Sequence, residues 1–153
     1  NLYGLAKIEF EKKLKSFCKK NSMNYSILRL PGVVGNKSHK NFIMNIYYKI
    51  KTNKQFKIYN LDQKFNNIIH TNLLSKVIIN IIKNKKQVNH EYLLGSKSPI
   101  KISKIIEILS KKLKKKPKYS VINSKKTNFT LSLEKAINEK VELWSTIKTL
   151  KSI

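Results

Sequence analysis

The chain has 153 residues, with 33 Lys+Arg against 8 Asp+Glu and a formal net charge of +25. Its 41% hydrophobic content, 4 Gly and 3 Pro exclude wholesale disorder and a collagen-like or Pro/Gly-rich chain, and its single Cys excludes a disulfide scaffold. The length suits one domain, able to bury roughly 70% of its unfolded surface. Cys18 alone fits a reducing, cytoplasmic compartment. No apolar run approaches the ~20 residues of a membrane span; the longest, at 77–82, is interrupted by Asn80.

Taken in chain order, Leu5, Ile8, Phe10, Leu14, Phe17 and Cys18 recur near helical spacing with lysines between them, predicting an amphipathic helix over 3–20. The stretch 25–30 predicts a buried strand, stopped by Pro31-Gly32. Val33-Val34-Gly35 leads into a polar loop at 36–40. A second helix is predicted over 41–51, with Phe42, Ile43, Ile46, Tyr47 and Ile50 inward. A short strand follows at 56–59, a turn at 60–63 and an extended piece at 67–70. Thr71 or Asn72 is placed to cap a long apolar helix reaching Ile82. The segment 91–95 reads as a strand ending on Gly95. An amphipathic helix over 103–115 carries Ile105, Ile106, Ile108, Leu109 and Leu113. A last strand at 119–122, a polar loop at 123–128 and short helices at 132–140 and 144–151 close the chain. Alternating strands and helices predict an α/β fold with mostly parallel strands.

The charge invites a nucleic-acid reading, since cationic proteins gain phosphate affinity by counterion release. Composition disfavours it. Arg29 is the only arginine, and lysine lacks the planar fork that grips guanine edges and phosphates. Lys, Ile and Asn are used heavily together, as A/T-rich codons would dictate. The densest run, at 111–118, reads as the solvated last turn of a helix, where Lys suits the dipole and Pro117 stops the helix.

One constellation carries chemistry. Tyr3-Gly4-Leu5-Ala6-Lys7 puts a phenol and an ammonium one helical turn apart on one face. A free phenol is a poor base at neutral pH, and an adjacent ammonium favours its anion. Such a pair can shuttle a proton for a carbonyl/alcohol couple; it also occurs in helices as a plain surface contact. His70 reads as a buried structural histidine. His39 and His90 fall in predicted loops without evident partners. With no Cys/His/Asp cluster at ligand spacing, no metal site is expected.

The order of segments after that pair is more specific. Tyr3-Gly4-Leu5-Ala6-Lys7 is followed by Ile27-Leu28-Arg29-Leu30-Pro31-Gly32-Val33-Val34-Gly35, then Asn41-Phe42-Ile43, Phe56-Lys57-Ile58-Tyr59, Asn67-Ile68-Ile69-His70-Thr71-Asn72-Leu73-Leu74 and Tyr92-Leu93-Leu94-Gly95. This set resembles the second half of the extended short-chain dehydrogenase/reductase family, the NAD-dependent epimerases, dehydratases and reductases of nucleoside-diphosphate sugars. The resemblance is clear from Tyr3 to about Leu113 and fainter beyond. It implies the C-terminal part of a Rossmann-like doubly wound sheet with a small mixed α/β substrate-binding lobe, and NAD or NADP as cofactor. It implies Tyr3 as catalytic acid/base and Lys7 as its partner, holding the nicotinamide ribose. Pro31, Gly32 and Val33 would pass the nicotinamide, and Asn41 would contact the substrate.

Two departures stand out. The family often carries Arg-Asp before its Phe-Ile-His segment; here those positions are Asn66-Asn67, with Asn66 as the candidate substrate contact and Lys64 nearby. The family's glycine-rich turn, which receives the pyrophosphate at a helix N-terminus, has no counterpart in these residues. The expectation is that 1–153 is the C-terminal half of an NAD(P)-dependent epimerase/dehydratase domain. It would act on a nucleotide sugar, inactive alone and able to form a homodimer through the 3–20 helix. The alternatives are a basic module binding nucleic acid or another polyanion, or a non-catalytic interaction subunit.

Overall fold

The computed structural model describes residues 2–84, 89–124 and 130–153; most of the polar loop predicted at 123–128 lies outside them. Six helices occur among the described residues: α1 (Leu2–Lys20), α2 (Phe42–Lys51), α3 (Thr71–Lys83), α4 (Ile102–Leu113), α5 (Glu134–Asn138) and α6 (Thr146–Lys151). The strands are β1 (Ser26–Arg29), β2 (Gly32–Val34), β3 (Phe56–Tyr59), β4 (Lys64–Phe65), β5 (Ile68–His70), β6 (His90–Leu93), β7 (Ile100–Lys101) and β8 (Tyr119–Ile122). Three ladders are parallel: β1 with β6, β2 with β5 and β3 with β8. A short antiparallel pair joins β4 to β7. Each parallel pair is far apart in sequence and linked through helices, as parallel crossovers require. This is the Rossmann-like mixed α/β arrangement expected.

The apolar residues gather in two cores, and β5 stands between them. Ile68 belongs to one and Ile69 to the other, because successive strand side chains point to opposite faces. The first core packs Ile43, Met44, Ile46 and Ile50 of α2 against Phe56 and Ile58 of β3 and Ile102, Ile105, Ile106 and Leu109 of α4. The second packs Leu73 and Val77 of α3 against Tyr92, Leu94, Leu133, Ala136 and Leu143. The first serves the lobe around α2, α4 and β3; the second lies under the β1–β6 ladder.

Several details differ from expectation. Of the periodic apolar set on α1, Cys18 alone is buried, while Leu5, Ile8, Phe10 and Phe17 are exposed. The predicted buried strand keeps Ile27 inside but leaves Leu30 exposed. Phe42 is exposed and rests against Phe65, the ring centroids 5.4 Å apart. Neither Thr71 nor Asn72 is the N-cap of α3; His70 is, its Nδ1 accepting from the Asn72 N–H at 3.1 Å. Caps are usually Ser, Thr, Asp or Asn, so a capping imidazole escapes the usual signal. Where the short helices were expected, α5 has five residues and α6 starts after the Ser145 cap.

Candidate functional site

Tyr3 and Lys7 lie on the first turns of α1, with Lys7 Nζ 5.5 Å from the centre of the Tyr3 ring. The contact has cation–π geometry, and the phenol is 72% exposed. The pair is thus assembled by the helix itself, as the four-residue spacing requires, and faces outward.

α1 is tied to the sheet farther along its length. Arg29 of β1 donates from Nε to Glu11 Oε1 at 3.0 Å and from a terminal nitrogen to Glu11 Oε2. The same guanidinium donates to Glu91 of β6 at 3.1 Å, and Lys15 reaches Glu91 at 2.5 Å. This clamp crosses α1, β1 and β6. The hydrogen bond from Arg29 holds the Glu11 carboxyl below its ordinary range, and Lys15 does the same for Glu91. Sequence reasoning found Arg29 only as the lone arginine; partners 18 and 62 residues distant leave no local pattern.

Pro31, Gly32, Val33 and Asn41 come together where β2 starts and α2 begins. Asn41 is the N-cap of α2: its Oδ1 accepts from the Met44 N–H at 3.1 Å, and its Nδ2 donates to the Val33 carbonyl at 2.6 Å. The Gly32 N–H donates to the Asn67 carbonyl at 3.1 Å. A Cβ on Gly32 would sit 3.3 Å from that carbonyl and 3.4 Å from Asn41 Cγ, so glycine allows this close approach. Asn67 Oδ1, buried at the same junction, has no hydrogen-bond partner among the described residues.

Asn66 is 1% exposed. Its Nδ2 donates to the Leu131 carbonyl at 3.0 Å and its Oδ1 accepts from the Leu131 N–H at 2.8 Å. It pins segment 130–133 to the loop before β5. Beside it, Ser96 Oγ donates to the Asn66 carbonyl and lies 2.8 Å from Thr146 Oγ1.

The histidines divide. His70 is buried and structural, as expected, with Nε2 3.0 Å from the Ser152 carbonyl and the ring stacked on Trp144. His90, read as a loop residue without a partner, instead opens β6. Its Nδ1 lies 2.9 Å from Tyr92 Oη and 3.2 Å from Glu139 Oε2. Tyr92 Oη donates to Glu139 at 2.5 Å. Burial first, and the Glu139 bond second, push the Tyr92 phenol up, while that bond holds the Glu139 carboxyl down. Tyr92 is thereby a core phenol held protonated rather than a base. Among the described residues no group of three His, Cys, Asp or Glu is placed to hold a metal ion. No described helix is long and apolar enough to cross a membrane.

No protein-family model and no curated protein matches the sequence. Solved structures do match it in fold. UDP-glucuronic acid 4-epimerase from Bacillus cereus, in complex with NAD, aligns at TM-score 0.79 and 17% identity, covering 99% of this chain and 50% of that one. UDP-glucose 4-epimerase from Thermus thermophilus, also with NAD, aligns at TM-score 0.76 and 10% identity, covering 98% and 51%. RMD from Pseudomonas aeruginosa, complexed with NADPH, aligns at TM-score 0.75 and 14% identity, covering 98% and 53%. The chain therefore has a fold found in these nucleotide-cofactor proteins. It spans about half the length of each.

Proposed function

We propose that this chain is the substrate-side half of an NAD(P)-dependent enzyme acting on a nucleoside-diphosphate sugar, as an epimerase, dehydratase or reductase. The observation that carries the reading is the Tyr3–Lys7 pair, exposed on one face of α1, within a fold shared with two sugar-nucleotide epimerases over nearly the whole chain.

The residues present fit one end of a dinucleotide. Tyr3 and Lys7 offer an exposed phenol and ammonium to ribose hydroxyls, and Gly32 keeps the backbone bare beside Asn41 and Asn67. The four glycines, Gly4, Gly32, Gly35 and Gly95, include no Gly-x-x-Gly-x-x-Gly turn. The pyrophosphate grip is therefore assigned to a glycine-rich half outside these residues. NAD or NADP, when bound, supplies reversible hydride acceptance at a sugar carbon.

This chain's residues handle the proton and the positions. Tyr3 Oη takes the proton from the sugar hydroxyl as that carbon is oxidised and returns it on reduction. Lys7 holds the ribose and keeps a positive charge beside the phenol. Pro31, Gly32 and Val33 set the loop past the nicotinamide, fixed by the Asn41–Val33 bond. Asn41 and Asn66 are assigned to the substrate side, Asn66 through the loop it pins to Leu131.

In the intact enzyme, this chain with its glycine-rich half, Tyr3→Phe is expected to lower kcat by roughly 10²–10⁴ while leaving the cofactor dissociation constant within about twofold. Steady-state kinetics and calorimetry measure the two. Undiminished turnover would remove Tyr3 from the mechanism.

A further inference from the structure

The ends of three helices converge on one lysine-rich face. α2 ends on Lys49 and Lys51, α4 on Lys111 and Lys112, and α6 on Lys148 and Lys151. Hydrogen bonds join the ends: Lys112 Nζ donates to the Lys151 carbonyl at 2.7 Å, and Lys115 Nζ donates to the Lys51 carbonyl at 2.5 Å. The Phe56 N–H donates to the Lys118 carbonyl, bringing the run after α4 beside the start of β3. Asn53 and residues 115–118 line a shared open cleft of about 470 Å³. The side chains of Lys49, Lys51, Lys54, Lys112, Lys114, Lys115, Lys116, Lys118, Lys148 and Lys151 are all exposed.

Counter-charge is missing from the segments that build this face. Residues 41–59, 108–133 and 143–153 contain no Asp or Glu. Of the acidic side chains, Glu11 and Glu91 sit in the α1 clamp, Asp62 pairs with Lys101, and Glu107, one turn before Lys111 in α4, pairs with Lys104 and Lys111. A solvated helix end accounts for two or three lysines. It does not account for three such ends brought together by the fold.

Aromatic rings border the same lysines. Tyr47 and Tyr48 lie edge to face, centroids 5.6 Å apart, and Lys51 Nζ is 6.0 Å from the Tyr47 ring. Tyr47, Tyr48 and Lys51 line one cleft of about 310 Å³ together with Asn36, Thr71 and Ser152. Cations tracking a backbone beside rings on which bases can stack are the two elements of single-strand recognition.

We propose that the face built by the C-terminal ends of α2, α4 and α6 binds single-stranded nucleic acid, with lysines on the phosphates and Tyr48 as a stacking platform. The rings favour nucleic acid over a membrane, and lysine point charges without arginine forks favour binding without base-specific readout. The proposal is independent of the catalytic reading.

The test uses the whole chain, a fluorescent oligouridylate and a salt series. Lys54, Lys114, Lys116 and Lys118, none of whose side chains is used in the bonds above, are changed together to Gln. A control changes Lys12, Lys13, Lys19 and Lys20 of α1 to Gln, removing equal charge. The first variant is expected to flatten the slope of log affinity against log salt by about 2.8, and the control by less than about 0.7. Tyr48→Ala is expected to weaken binding about tenfold with the slope unchanged. Equal flattening by both lysine variants, absence of binding at about 0.1 M salt, or binding to phosphatidylserine vesicles without binding to oligouridylate would each overturn the proposal.

Discussion

At the scale of single residues, polar side chains decide where backbone segments lie. Asn66 satisfies both polar groups of Leu131 from a buried position. Asn66→Ala strands a half-buried donor and acceptor together, so stability is expected to fall by about 2 kcal/mol, read as a lower urea midpoint. A raised KM with an unmoved midpoint would instead make Asn66 purely a substrate contact. Gly35 holds a φ of +137°, and a Cβ there would lie 2.5 Å from Thr71 Oγ1. Gly35→Ala therefore combines backbone strain with a clash and is expected to cost more than about 1 kcal/mol, measured by thermal unfolding. The spacing of Tyr3 and Lys7 was legible because a helix brings residues four apart together whatever surrounds it. The Asn66–Leu131 pair was not, because its partners are 65 residues apart.

At the scale of elements, α1 is held more by charge than by burial. Its apolar residues other than Cys18 and the half-buried Leu14 face outward, and the clamp of Glu11, Arg29, Glu91 and Lys15 ties it to β1 and β6. Both carboxyls are held below their ordinary values. The stabilisation they give is complete above the unfolded carboxylate value of roughly 4.3 and is lost as pH falls through the lower folded values. Unfolding free energy should therefore fall less steeply between about pH 5 and pH 3 in the Glu11→Gln/Glu91→Gln double variant than in the parent; identical slopes would mean the clamp carries no linked stability. Helices α2 and α4 were legible, Phe42 apart, because their apolar faces meet one core. The direction of α1 was not: periodicity shows that an apolar face exists and is silent on what it meets.

At the scale of the molecule, exposed apolar surface on two helices is consistent with the reading as half of a larger fold. Leu5, Ile8, Phe10 and Phe17 of α1 and Ile78, Ile79 and Ile82 of α3 are open to solvent, and β1 has a ladder partner on one side in β6. Such surfaces promote association. Light scattering of the chain alone is expected to show self-association that ends when the glycine-rich half is supplied, and calorimetry is expected to show no NAD(P) binding by the chain alone. A micromolar dissociation constant for the isolated chain would contradict the assignment of the pyrophosphate grip elsewhere. The order of parallel strands and helices was legible in the alternation of apolar runs, whereas the two-residue pair β4–β7 was too short to carry a pattern.

We propose that Tyr3 moves the proton while a sugar carbon exchanges hydride with the nicotinamide. The most direct measurement is the absorbance of reduced nicotinamide in a single turnover of the intact enzyme, mixed with oxidised cofactor and a nucleotide sugar. Transient reduction is expected with Tyr3 present, and loss of that signal in Tyr3→Phe at unchanged cofactor occupancy. Equal reduction in the two proteins would contradict it.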